Sequence, residues 1–511
     1  MRVLSALLLS AQAAMAEAPL SAIDWLSESL SQPPNFVIAP PSPSSTRLGS
    51  SIFSSSLDLV SRDAAGLLSP EITGFPARLW GDMPADQVIK ALQNHKPAGV
   101  PELHSLFRNL LLAQADPPLG TSEQVSPLLT RIDLLMKIGA LDEAETLINL
   151  AGVTEPEIFK LWFDVSIMAN RTRAVCAKLA ERPDLTDDVA TRVVCLARGG
   201  DWNAAAITLS LSASIGDLEP LREELLIRFL DPDLFGHDRE TAIPDPFTPV
   251  DFALREALAL PRPSPLPLTF LAVDLKLNVP QRRRMEAAER LVQSAAIPTS
   301  LLFAAYRGGH PASSGGIWER ANVVQQLDRA LIEGDDIALA DAIKQAFDEM
   351  ANVGLLPALA AEYSDALAHY PKSPDLESAS TMVQTLLLLQ GIPVSAWVET
   401  TDPDSDRIEM ARILASQIPV LGLNPYEDPL LNAVFAAFAD QIPALGEFSY
   451  NLELIESGQI GAAVLVALGL LAQGADGEPA NIHEGLFLLQ KAGLDNAARR
   501  IAIQMLLTEM P

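Results

Sequence analysis

The chain has 511 residues, 49% of them apolar but only 5% aromatic, with 36 Lys and Arg against 65 Asp and Glu, a net charge of −29. That length suits two or three domains or one long repeat array, and apolar content carried by Leu and Ala belongs to packed helices rather than sheets. The charge disfavours nucleic acid and anionic membrane surfaces, and it fits either a solvated surface or a protein or peptide partner bearing a basic patch.

The chain opens with Met1-Arg2, an apolar run over Val3 to Ala14, and Ala14-Met15-Ala16. A positive start, a short apolar stretch and small residues at the cleavage positions read as a secretory signal (residues 1–16), cut after Ala16. The run is too short to span a bilayer, so the expected product is periplasmic, without membrane insertion. Residues 17–65 follow as a Ser/Pro-rich arm, Pro40-Pro41-Ser42-Pro43 included, expected to be disordered. Within it, residues 21–30 form a short amphipathic motif with Ile23, Leu26 and Leu30 on one helical face and Trp25 beside them. Either this motif hooks a partner at the end of a loose tether, or it folds back on its own protein.

From Asp86 onward the apolar period is helical, as in Val88, Ala91, Leu92 and in Leu103, Leu106, Leu110. Glycine then recurs between an apolar helix and an alanine-rich one: Gly139 before Ala144, Gly200 before Ala204-Ala205-Ala206, Gly458 before Ala462-Ala463, Gly493 before Ala497-Ala498. Gly334 and Gly391 mark degraded copies. Glycine closes one helix in a left-handed cap, and alanine lets the next helix approach closely. Ile460 to Ala472 is apolar but short and Gly-broken, as expected of a buried helix.

Cys176 and Cys195 flank a turn at Arg182-Pro183-Asp184-Leu185, with Thr186, Asp187 and Asp188 suited to starting the second helix. Their distances from the turn put both at similar heights on a hairpin. They form either a clamping disulfide or two buried thiols. Prolines crowd residues 231–270, which reads as an insertion between a helical half at 66–230 and another at 271–511. Arg307 to Trp318 is a Gly-rich loop, either a connector or a tip at a groove.

The punctuated hairpins resemble the tetratricopeptide-type superfamily, although most of its Trp, Tyr and Pro signature positions are missing. That resemblance implies an all-α fold of helical hairpin repeats stacked as an α-solenoid, with a concave face for peptides or proteins. The overall organisation also resembles exported alphaproteobacterial proteins of the periplasmic flagellar-motor type.

Motifs for chemistry are missing. The histidines (His95, His104, His237, His310, His369, His483) show no metal-ligand spacing. Asp402-Pro403-Asp404-Ser405-Asp406 starts like a calcium loop, but Arg407 and Ile413 occupy the turn-glycine and bidentate-glutamate positions, so it reads as an acidic turn capping a helix at 407–418. Arg282-Arg283-Arg284 reads as a solvated helix end, and Glu71 lies outside any evident cleft. No catalytic residue, metal or cofactor is expected. The leading reading is a non-enzymatic protein-binding scaffold. The alternatives are a cell-wall-active enzyme or subunit, which requires a buried acid in a polar cleft, and a periplasmic chaperone, which requires an apolar groove.

Overall fold

The computed structural model describes residues 61–96, 99–234, 242–276, 278–309, 315–368, 378–394, 405–420, 426–443, 448–475 and 477–508. The signal segment, residues 17–60 with Ile23, Trp25, Leu26 and Leu30, and Asp402 to Asp404 lie outside the described residues.

Among the described residues there are 24 α-helices and no β-strand. In chain order they are α1 Pro70–Thr73, α2 Ala85–Asn94, α3 Pro101–Leu112, α4 Pro127–Ile138, α5 Leu141–Ala151, α6 Pro156–Met168, α7 Arg173–Glu181 and α8 Val189–Arg198. Then come α9 Trp202–Ile215, α10 Pro220–Leu230, α11 Pro249–Ala257, α12 Leu268–Leu271, α13 Gln281–Gln293, α14 Thr299–Arg307, α15 Ile317–Glu333 and α16 Asp336–Ala351. The last eight are α17 Leu356–Ala368, α18 Ser380–Leu389, α19 Ser405–Ala415, α20 Pro429–Phe438, α21 Phe448–Glu456, α22 Ile460–Ala475, α23 Pro479–Lys491 and α24 Asp495–Leu507. No helix among the described residues is long and apolar enough to cross a membrane.

The glycine punctuation holds at every position read from the sequence. Gly139, Gly200, Gly334, Gly391, Gly458 and Gly493 all have φ between 68° and 91°. Gly139 shows the physics. It caps α4 in the left-handed conformation, donating to the carbonyls of Leu135 and Met136. A Cβ there would also stand 2.4 Å from Leu291 Cδ2 on α13 and 3.1 Å from Leu268 O, so the close approach favours glycine as the turn does. After four of these caps an alanine is buried: Ala144, Ala205, Ala463 and Ala498.

Sequence-adjacent hairpins (α8/α9, α15/α16, α17/α18, α22/α23) supply much of the packing. An open solenoid would end there, with each repeat touching only its neighbours. Here early and late helices among the described residues meet. Helix α3 packs against both α22 and α24, and α2 against α22. Gly461 N–H donates to Leu79 O at 2.8 Å, and a Cβ on Gly461 would sit 2.5 Å from the Trp80 ring. The principal core accordingly runs from Phe75 to Leu506. Residues 242–276, which overlap the Pro-rich stretch 231–270, carry α11 and α12, which pack on α6 and α4.

A satellite core joins α6 to α11 through Phe159, Phe163, Val175, Val194, Leu225 and Leu254. In this lobe Cys176 and Cys195 are bonded, with Cα atoms 5.1 Å apart. The hairpin around them matches the sequence reading: α7 ends at Glu181, a tight turn spans Pro183–Leu185, and Asp188 caps α8 by accepting from Thr191 N–H at 2.8 Å.

The described chain is anchored earlier than composition implied. Residues 61–65, read as part of the arm, are tied to the body. Buried Asp63 accepts from Ser126 Oγ at 2.7 Å and from Leu128 N–H at 2.9 Å, satisfying the first turn of α4. One turn on, buried Arg131 donates to three carbonyls: Ala65 (2.9 Å), Leu111 (2.7 Å) and Ala113 (2.8 Å).

Candidate functional sites: a polar cleft and an uncovered helix face

A cleft of about 480 Å³ opens where early, middle and late helices among the described residues come together. Its walls come from α3 (Glu102, Ser105, Arg108), α5 (Glu143), α13 (Gln293), α17 (Pro357, Ala358) and α24 (Gln504). Pro101 starts α3, and its first turn needs acceptors for free amides. Gln504 supplies one, its Oε1 accepting from Glu102 N–H at 3.0 Å. Arg500, one turn earlier on α24, donates to Glu102 Oε1 at 2.6 Å. Two side chains of the last helix therefore clasp the first turn of α3.

Burial pushes the Glu102 carboxyl above the usual carboxylate range, while Arg500 pulls against the rise. Further along α3, Arg108 pairs with Glu143 of α5, and Arg108 Nε is buried without a partner. A general acid must hold its proton toward the substrate. Glu102 instead spends an oxygen on an arginine, and the cleft's second carboxylate is also paired. The arrangement can orient polar groups of a ligand, and it ties α24 to α3. Among the described residues no group of His, Cys, Asp and Glu is arranged to hold a metal. Arg282 pairs with Glu286 on an exposed helix end, but Arg283 reaches the buried carboxylate of Asp274 at 2.9 Å. Glu71 is exposed.

The second feature is α9. Its fourteen residues, Trp202 to Ile215, contain no charge, and Asp201 caps it by accepting from Ala204 N–H at 3.0 Å. A helix this rich in apolar residues and free of charge is ordinarily buried. Helix α9 buries only Ala205, Leu209 and Ser212, the first two of them in the satellite core. Ile207, Leu211 and Ile215, spaced four apart on one face, are 61%, 64% and 77% exposed. Along its flank toward α10, Ala206, Ser210 and Ala213 leave a small furrow against Ile227 and Leu230.

The structure thus brings the two cysteines together, as one of the two sequence readings required. Glu102, Gln504, Arg500 and the α9 face were missed. For α9 the signal was present: an uncharged fourteen-residue helix in a chain of net charge −29. Comparison with family models, curated proteins and solved structures returns no match for this chain.

Proposed function

We propose that this protein is a non-enzymatic protein-binding scaffold that works in the periplasm. The observation that carries the reading is the uncovered apolar row of α9, three large aliphatic side chains held in water by a folded helix. The disulfide supports an oxidising compartment, as does the signal-like start cut after Ala16. The tetratricopeptide resemblance fits the hairpin-by-hairpin build. An accessory role in an envelope machine such as the flagellar motor is the specific form of the same proposal, and it rests on overall organisation.

The test compares the protein with its Ile207→Asp/Leu211→Asp variant, both recovered from native cells by a tag, with bound proteins identified by mass spectrometry. The expected result is a defined partner recovered with the parent chain and lost with the variant, at unchanged melting temperature. Identical recovery from both would refute the docking face.

A second reading, an enzyme acting on cell-wall material, draws on Glu102, a buried acid among polar neighbours in the cleft. It requires Glu102→Gln to abolish release of soluble fragments from purified peptidoglycan. The scaffold reading expects no release from either form.

A further inference from the structure

Resting on the scaffold reading, we infer that the occupant of the α9 face is a basic amphipathic helix of another protein, its apolar stripe on Ile207, Leu211 and Ile215 and its cations at the two ends of α9. The charges at those ends select it. Asp201 stands immediately before the helix and Asp217 immediately after its cap at Gly216, both exposed. At 1.5 Å per residue they lie roughly 24 Å apart, bracketing the apolar row. Across residues 198–234 the three arginines are engaged elsewhere: Arg198 with Asn170 and Thr172, Arg222 with Asp251 and Arg228 with Glu224. None of the three pairs with Asp201, Asp217, Asp231 or Asp233, and these four carboxylates outnumber the one arginine, Arg198, that has no carboxylate partner.

Two other occupants fit worse. A second copy docking α9 on α9 about a two-fold axis would run the helices antiparallel. Asp201 of each would then meet Asp217 of the other, a like-charge contact at both ends. An anionic lipid surface would be repelled by the same carboxylates, and interfacial helices carry Lys and Arg on their flanks, which α9 lacks. A helix with apolar anchors at i, i+4 and i+8 between lysines about sixteen residues apart satisfies both the row and its ends.

The experiment uses the full chain and two synthetic helical peptides. Both carry leucine at the three anchor positions; one has lysine at its ends, the other glutamate. Binding is read by fluorescence anisotropy at low and high salt, and self-association by sedimentation. The lysine peptide is expected to bind at least about tenfold tighter than the glutamate peptide and to weaken with salt. Leu211→Asp should abolish its binding. Asp201→Asn/Asp217→Asn should remove the preference between the peptides, because Asn keeps the helix cap without the charge. Equal affinity for the two peptides would overturn the basic partner while leaving the docking face standing. Self-association abolished by Leu211→Asp would overturn it in favour of a second copy. Binding of either peptide unaffected by Leu211→Asp, with no self-association, would remove the face itself and the scaffold reading with it.

Discussion

Arg131 offers the sharpest test of how the described N-terminal segment is held. It is buried on α4 and bonded only to backbone: the carbonyls of Ala65, Leu111 and Ala113. Burial draws its pKa down to about 10, with the charge of Asp63 acting against the shift, so it remains a cation in the fold. Replacing it with methionine keeps the stem and removes five donors. Three carbonyls then lose charge-assisted bonds worth about 1.5–3 kcal/mol each, offset by the relief of a desolvated charge. The net expectation is a local loss of about 4 kcal/mol. That loss should appear where the segment meets the end of α3. Leu67 and Leu68 N–H donate to Leu112 O at 2.8 and 3.1 Å, and Gln114 N–H to Leu68 O at 2.8 Å. Hydrogen exchange at these three amides should accelerate about a thousandfold in Arg131→Met, while amides of α15 and α16 keep their rates. Acceleration of less than tenfold at Leu67 and Leu68 would show that the guanidinium is not what holds the segment.

Three other perturbations follow from the same contacts. Gln504→Met removes the acceptor for Glu102 N–H and should cost about 1–2 kcal/mol in urea unfolding, the range for losing a helix cap, with no change in the oligomeric state. Cys176→Ala/Cys195→Ala opens a loop of 19 residues and should destabilise the satellite lobe by about 3 kcal/mol in the chain-entropy estimate, read as earlier exchange of α7 and α8. His95 packs its ring 4.3 Å from that of Phe107, and burial first, then the charge of His104, draws its pKa down to about 4. The unfolded chain therefore takes up a proton that the fold refuses. Stability is whole above about pH 6.5 and falls as the pH drops toward 4, by about 2–3 kcal/mol in all, and His95→Phe should flatten that slope in urea melts.

What the sequence disclosed was local. A glycine between two apolar periods has one economical explanation, a left-handed cap, and the φ values agree. The cysteine hairpin was legible because the turn, the Asp188 cap and the helical rise all lie within twenty residues. What escaped was long-range. Periodicity identifies which face of a helix is apolar, never which distant helix covers it. Nothing around Pro101 announces that the free amide of the next residue, Glu102, will meet Gln504, 402 residues away. Arg131 and Asp63 were likewise invisible as a pair of anchors, because each looks like an ordinary surface charge until the backbone groups it serves are located. The arm's boundary moved for that reason: composition measures the capacity to build a core, while residues 61–65 are held by hydrogen bonds to someone else's.

The α9 face permits an argument that does not depend on finding a partner. Burying Ile, Leu or a second Ile is worth about 1.5–3 kcal/mol per side chain, and at Ile207, Leu211 and Ile215 most of that gain is forgone. The fold needs Ala205 and Leu209 for the satellite core, and Asp201 for the cap. It does not need the exposed row. Substituting Ile207→Ser, Leu211→Ser and Ile215→Ser together should therefore leave stability within about 0.5 kcal/mol per site, as for other exposed positions, while raising solubility and lowering the binding of an apolar dye. If the triple variant instead loses several kcal/mol in urea unfolding, the three side chains are covered in the native molecule, and the face belongs to the fold rather than to a partner.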